Sequence, residues 1–174
     1  MKPAMMVDIE TFGTGTNAVM VQLGALVWDK DTGATIDGFL VDIDPDECVK
    51  AGATTTVETL EWWASLGGFK PWGTPVSPWV AIMNFQAFCV KHYGVEIWAK
   101  GTDFDLGIIK WYHEQFGASL PWKFYQARDL RTLLKLAQER GWSWEGNEPT
   151  HNALQDCVLQ VNQFMCASRV LFNN

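Results

Sequence analysis

The sequence predicts an α/β fold, a mixed sheet flanked by helices. Three observations predict it. Three apolar stretches of strand length come first, at 4–10, 18–29 and 36–44, joined by connections short enough for hairpins. Segments with helix start and stop signals follow. One more apolar stretch, 95–101, interrupts those helices, so strands and helices must share a core.

Each element has its own local reason. Residues 4–10 read as a buried strand and 18–29 as a second. Gly33 suits a tight turn after Asp29, and 36–44 returns as a third strand, which gives a three-stranded antiparallel meander. The run 42–47, "DIDPDE", mimics the start of a calcium loop. Pro45 and Glu47 do not fit one, so it reads as an acidic loop. "TTVETLEWWASLGG" carries a capping box, Thr55 with Glu58, and a glycine stop. A second helix starts at Ser77 with Pro78 in its first turn and ends at Gly94, its apolar stripe running through 79, 82, 83, 85, 88 and 90. After the fourth strand, 103–117 is a helix, "LRTLLKLAQERG" is another closed by Gly141, and the chain finishes in a long amphipathic helix. The expected order is β-β-β-α-α-β-α-α-α. There are no repeats and no long linker, so residues 1–174 read as one domain.

Composition bounds the function. With 48% hydrophobic and 19% charged residues the chain reads as globular. No apolar run approaches a membrane span, and the N-terminus has no signal-peptide pattern. Cys48, Cys89, Cys157 and Cys166 have no metal-type spacing and are expected as reduced thiols in a cytoplasm. A net charge of -7 argues against coating long nucleic acid. It leaves room for an enzyme that holds a few terminal nucleotides around cations.

The chemistry-bearing residues are acids in unusual places. Asp8 and Glu10 lie two apart on the first strand, so they point to the same face. Two carboxylates that close repel and raise each other's pKa. Asp103 and Asp105 follow the fourth strand, and His151 and Asp156 open the last helix. A mixed sheet can gather these into one cleft. Carboxylates in that number are tenable around hard cations, and oxygen ligands suit Mg²⁺ or Mn²⁺. Two such ions roughly 3.5–4 Å apart serve phosphodiester hydrolysis. Five helical residues would put His151 about 140° from Asp156. The chemistry works better with His151 ahead of the helix, Asn152 as N-cap and Gln155 at N3. A neutral His there can take a proton from water.

"DIET", "KGTDFD" and "HNALQD" resemble the three motifs of the DEDDh 3′–5′ exonucleases. "TVETLEWW", "WAKGTDFDLGIIKWY" and "PWKFYQARDLRTLLKL" extend the resemblance over nearly the whole chain. They look like the small bacterial and phage exonucleases related to a mycobacterial exoribonuclease and to phage T4 exonuclease A. The resemblance implies an RNase H-like fold and release of nucleoside 5′-monophosphates from single-stranded RNA or DNA 3′ ends. It implies two Mg²⁺ or Mn²⁺ ions held by Asp8, Glu10, Asp105 and Asp156, with His151 as general base. Asp105, which follows Phe104, matches the second motif; Asp103 does not and reads as a helix N-terminal acid. Glu10 is implied to meet the terminal 3′-hydroxyl, and Thr11 and Phe12 the terminal nucleotide. A bacterial or phage origin and a homodimer go with the resemblance. Lys100 and Asp103 depart from the common second-motif pattern and bear on substrate preference.

Other residues have two readings each. Asp8 and Glu10 alone would read as a strand-end pair facing water; Asp105, His151 and Asp156 reverse that. Adjacent Trp62 and Trp63 cannot both face the core, so one packs and the other stacks on a base, or both serve core and interface. Arg128 and Arg131 meet phosphates or pair with Asp129 and Glu139. Thr102 joins the substrate-facing set. His92 and His113, late in helices, read as solvated. A non-catalytic binder of a nucleotide or nucleic-acid end is the alternative function, and a structural protein whose acids bind calcium a third.

Overall fold

The computed structural model describes residues 2–172; Met1, Asn173 and Asn174 of the expected 1–174 unit lie outside the described residues. Strands β1 (Pro3–Thr11), β2 (Met20–Asp29) and β3 (Thr35–Asp42) form the antiparallel meander. The short helix α1 (Pro45–Lys50), then α2 (Val57–Ser65) and α3 (Pro78–Lys91), lead to β4 (Glu96–Ala99). Helix α4 (Thr102–Gln115) is followed by β5 (Ala127–Asp129), α5 (Leu130–Gln138) and α6 (Ala153–Phe172). The sheet order is β3-β2-β1-β4-β5, with β4 parallel to β1 and β5 parallel to β4.

Alternation along β1 divides the core in two. Met5, Val7 and Ile9 face a cluster with Ile82 and Phe85 of α3 and Ile108, Ile109 and Tyr112 of α4. Ala4 and Met6 face the other cluster, with Trp28 of β2, Leu130 and Leu134 of α5, and Val161 and Phe164 of α6. With a period of two, Asp8 and Glu10 continue the Ala4–Met6 row. The face that carries them is therefore the face that α6 covers.

Several expectations change. β5 is an added strand: "ARD" is three residues long, too short for a pattern of alternation, and it exists by pairing with β4. Residues 42–47 are not a loop. Asp44 caps α1, accepting from the backbone N of Asp46 and Glu47, and Pro45 opens the helix. Thr56, not Thr55, precedes α2, and the capping box does not form. The buried stripe of α3 is Pro78, Ala81, Ile82, Phe85 and Cys89, while Trp79 and Val90 are exposed. His113 is wholly buried; its Nδ1 lies 2.9 Å from the Ile109 carbonyl, so it donates there, and burial lowers its pKa. His92 is mostly covered and sits 2.8 Å from Asp37, which also meets Lys91. All four cysteines are free thiols. Among the described residues no helix is long and apolar enough to cross a membrane.

Candidate active site

The N-terminus of α6 is seated on the sheet by two residues of β2. Gly24 pairs with Asp8 and Gln22 with Glu10. A Cβ on Gly24 would stand 2.4 Å from the Ala153 carbonyl carbon and 2.5 Å from the Leu154 nitrogen. Only a glycine lets the helix backbone come this near. Beside it, Gln22 Oε1 accepts from Ala153 N at 2.8 Å, and Gln22 Nε2 donates to Asp42 at 2.7 Å. Asp42 in turn accepts from the backbone of Trp72 and Gly73, which ties the 66–76 loop to the same place.

That seating brings Asp156 over the sheet. Asn152 caps the helix through Gln155 N at 3.0 Å, so His151 stands ahead of it, with a left-handed φ of 56°. Asp156 holds this turn. One carboxylate oxygen accepts from Thr150 N at 2.7 Å and the Thr150 hydroxyl at 3.1 Å, the other from His151 N at 3.0 Å. One helical turn later, Gln160 shares the face of Asp156 and donates to Asp8 at 2.7 Å. Asp105 enters from the first turn of α4, which starts after Gly101 at φ 121°. Its carboxylate accepts from the backbone N–H of Ile9.

Asp8, Glu10, Asp105, His151 and Asp156 all line one cleft of about 330 Å³. Ligand atoms of Glu10, His151 and Asp156 lie within 4.8 Å of one another. The carboxylates strain against this company. Burial, then the charges of Asp156 and Asp105, push Glu10 up to about 8. Burial raises Asp105 to about 7, against hydrogen bonds from Ile9 and its own backbone. Asp8 is raised too, by burial, then Asp105 and Glu10, with the Gln160 bond opposing. Bringing positive charge among them would reverse these shifts. Oxygen donors in this number suit a hard cation, and Gln160 Oε1 is buried with no hydrogen-bond partner among the described residues. The residues present fit a divalent metal centre.

The remaining candidates divide. Trp63 is buried, its Nε1 donating to the Thr11 carbonyl at 2.8 Å. Trp62 is 43% exposed and meets the His151 ring edge-on at 4.8 Å. Arg131 lines the cleft. Thr11 and Phe12 do not: the Thr11 hydroxyl donates to Gly13 O, and Phe12 packs edge-on against Trp63 and Phe69. Thr102 is engaged with Asp129. Arg128 lies on another face, bonded to the Tyr125 and Ala127 carbonyls and 3.3 Å from Glu96; Glu96, not Asp129, is its partner. Asp103 is exposed. Gln22, Gly24 and Gln160 are absent from the sequence-derived set. Gln160 was four residues beyond Asp156, and an isolated glycine inside an apolar strand marks close backbone approach.

Residues 3–167 match the model of the 3′-5′ exoribonuclease Rv2179c-like domain. The chain belongs to that family. No curated protein matches it in sequence. Among solved structures it is similar to cell-death related nuclease 4 (CRN-4), with a TM-score of 0.67 at 14% identity over 98% of this chain and 64% of that one. It is similar to the zinc-bound complex of E. coli exonuclease I with single-stranded DNA, TM-score 0.74 at 13% identity over 100% of this chain and 42% of that one. The nuclease domain of 3′hExo, a DEDDh family member bound to rAMP, gives 0.58 at 11% over 98% and 92%. Identities this low show a common fold, and the chain spans under two thirds of the CRN-4 and exonuclease I chains. The fold is the RNase H-like one that the motifs implied. Membership of this exoribonuclease family implies use of a divalent metal, and the acidic cleft is where the chain can hold it.

Proposed function

We propose that the chain is a 3′–5′ exonuclease that removes nucleoside 5′-monophosphates from single-stranded RNA or DNA ends with two Mg²⁺ or Mn²⁺ ions. The observation that carries the reading is the convergence of Asp8, Glu10, Asp105, His151 and Asp156 on one cleft. Asp8, Glu10, Asp105 and Asp156 would hold the ions. Divalent cations in such a centre supply Lewis-acid polarisation of the phosphodiester and a more acidic attacking water. The carboxylates bind them as acceptors only, so they stay ionised once compensated.

His151 has the task of a base. Its backbone is fixed by Asp156, its ring rests against Trp62 and Trp63, and a ring nitrogen lies within reach of the carboxylate cluster. It takes the proton of the attacking water as the P–O bond to the 3′-terminal nucleotide's phosphorus forms and the bond to the preceding 3′-oxygen breaks; that oxygen takes a proton from solvent and becomes the new 3′-hydroxyl end. Glu10 is suited to accept a hydrogen bond from a terminal 3′-hydroxyl. A 3′-phosphate would bring about two negative charges into a pocket already acidic.

The test is digestion of 5′-labelled RNA and DNA oligomers of one sequence, ending in 3′-hydroxyl or 3′-phosphate, with Mg²⁺, Mn²⁺ or Ca²⁺. Stepwise ladders from 3′-hydroxyl ends alone, with mononucleotide product in Mg²⁺ or Mn²⁺, are expected. Cutting of a circular single strand, or equal rates on both ends, would overturn the exonuclease reading. Binding without hydrolysis in every metal would leave an end-binding protein.

A further inference from the structure

The catalytic cleft continues past Arg131. Lys100 and Arg131 are shared with a second groove of about 260 Å³, whose other walls include Lys135 of α5 and Trp142 and Trp144 of the following loop. The groove gathers three cations in a chain whose acidic residues outnumber basic ones 20 to 13. Among the described residues none of Lys100, Arg131 and Lys135 takes part in an ion pair. Lys100 Nζ instead donates to the neutral Gln163 at 3.1 Å, and Arg131 donates to the Lys100 carbonyl at 3.0 Å. Glu145 and Glu148 of the same loop are exposed and do not line the groove.

The aromatic wall is set in advance. Trp144 Nε1 donates to the Asn147 carbonyl at 3.0 Å. Gly146 lies so near the Trp144 ring that an added Cβ would stand 2.2 Å from it. The ring is thus held on its own loop, 6.4 Å from Trp142 and tilted 35° to it. Both rings are half-buried. A row of unpaired cations beside a fixed aromatic surface is how proteins track a single strand without reading its sequence, through phosphate charge and base stacking.

The geometry points to a track for the nucleotides on the 5′ side of the cleaved bond: Arg131 and Lys135 take their phosphates and Trp144 stacks a base. The ligand class is single-stranded RNA or DNA longer than a dinucleotide. This rests on the exonuclease reading for which end enters the cleft. Past His151 the cleft meets a cavity of about 370 Å³ that carries one cation, Lys70; past Lys100 and Arg131 it meets the groove, which carries three. Phosphate charge therefore favours the groove as the route by which a strand with its 3′ end at Glu10 leaves.

Two substitutions test the track without touching the metal site. Decamer binding is measured by fluorescence anisotropy in Ca²⁺, and hydrolysis of a decamer and a dinucleotide in Mg²⁺. Lys135→Gln should flatten the slope of log affinity against log salt by about 0.7, one phosphate contact on a single strand. Trp144→Ala should weaken decamer binding roughly 5- to 100-fold, the loss of one stacked base, while Trp144→Phe keeps most of it. Dinucleotide hydrolysis, and every readout for Lys110→Gln, which lies on α4 outside both the cleft and the groove, should not change. Should Trp144→Ala fail to fold, Lys135→Gln on the exposed face of α5 still decides. Oligomers cut normally with decamer affinity and salt slope untouched would overturn the track alone. Equal losses on decamer and dinucleotide would overturn it too. No cutting by the parent protein, with decamer binding still sensitive to both residues, would overturn the exonuclease reading and leave the track standing.

Discussion

Adding a single methyl group at Gly24 should disable a site to which Gly24 contributes no functional group. In Gly24→Ala the new Cβ would lie 2.4 Å from the Ala153 carbonyl carbon and 2.7 Å from its oxygen. Carbon atoms in contact rest about 3.5–4.0 Å apart, so the α6 N-terminus must retreat by about 1 Å. The obstruction is backbone on both sides, with β2 pinned between β1 and β3, and no flexible side chain can yield. Overpacking of this kind costs about 1–3 kcal/mol. The retreat also moves His151 and Asp156 away from Asp8 and Glu10, stretching the 2.8 Å bond from Ala153 to Gln22. A misplacement near 1 Å can cost roughly 10²-fold in rate. Urea melts read the stability and single-turnover hydrolysis reads the rate. Gly38→Ala is the control: it faces the same helix, but its Cβ would meet only the Leu154 methyls at 3.7 and 3.9 Å, and it should stay within about 0.5 kcal/mol of the parent. Parental stability and rate in Gly24→Ala would refute the claim that Gly24 sets the helix position.

Asp105→Asn should lose most activity with the fold retained, and should melt higher than the parent in chelator because repulsion in the cleft is relieved; Asp103→Asn, on an exposed side chain, should be mild, and swapped results would move the metal site. His151→Ala should still bind divalent cation by calorimetry, yet turn over about 10²–10⁴-fold more slowly; lost binding would make His151 a ligand. Without metal, the raised Glu10, at about 8, and Asp105, at about 7, hold protons that the unfolded chain releases near the ordinary values of 4.5 and 3.8. Their contribution to stability is therefore complete below about pH 4 and lost as pH rises toward 8, by at most about 1.4 kcal/mol per pH unit for each proton. Melting in chelator should fall across that window, Glu10→Gln should flatten the fall, and a flat parent profile would refute it. Trp63→Ala should cost about 3–5 kcal/mol of stability, whereas Trp62→Ala should instead weaken substrate binding by about 1–3 kcal/mol; stability and affinity measured on both decide.

The sequence by itself determined what depends on near neighbours in the chain. Period-two alternation put Asp8 and Glu10 on one face of β1. Ser77 and Pro78 started α3, and Asn152 with Gln155 placed His151 ahead of α6, because caps and strand faces are set within a few residues. Motif order then named Asp105 and Asp156. The tertiary structure decided everything that needs a second element. β5 exists only as a partner of β4. His113, polar and late in its helix, is buried because α4 turns it toward Trp122. Trp62 and Trp63 are equivalent as letters, and only the packing of α2 over Thr11 sends one inward and the other to His151. Arg128 and Arg131 are three apart, yet one sits mid-way along β5 and meets Glu96 while the other rides α5 into the cleft. Gly24 carries no functional group at all, and its role appears only as the empty space that admits the backbone of α6. A side chain's chemistry is written in its own residue; which surface it meets is set by elements more than a hundred residues away in the chain, as Gln22 and Ala153 are.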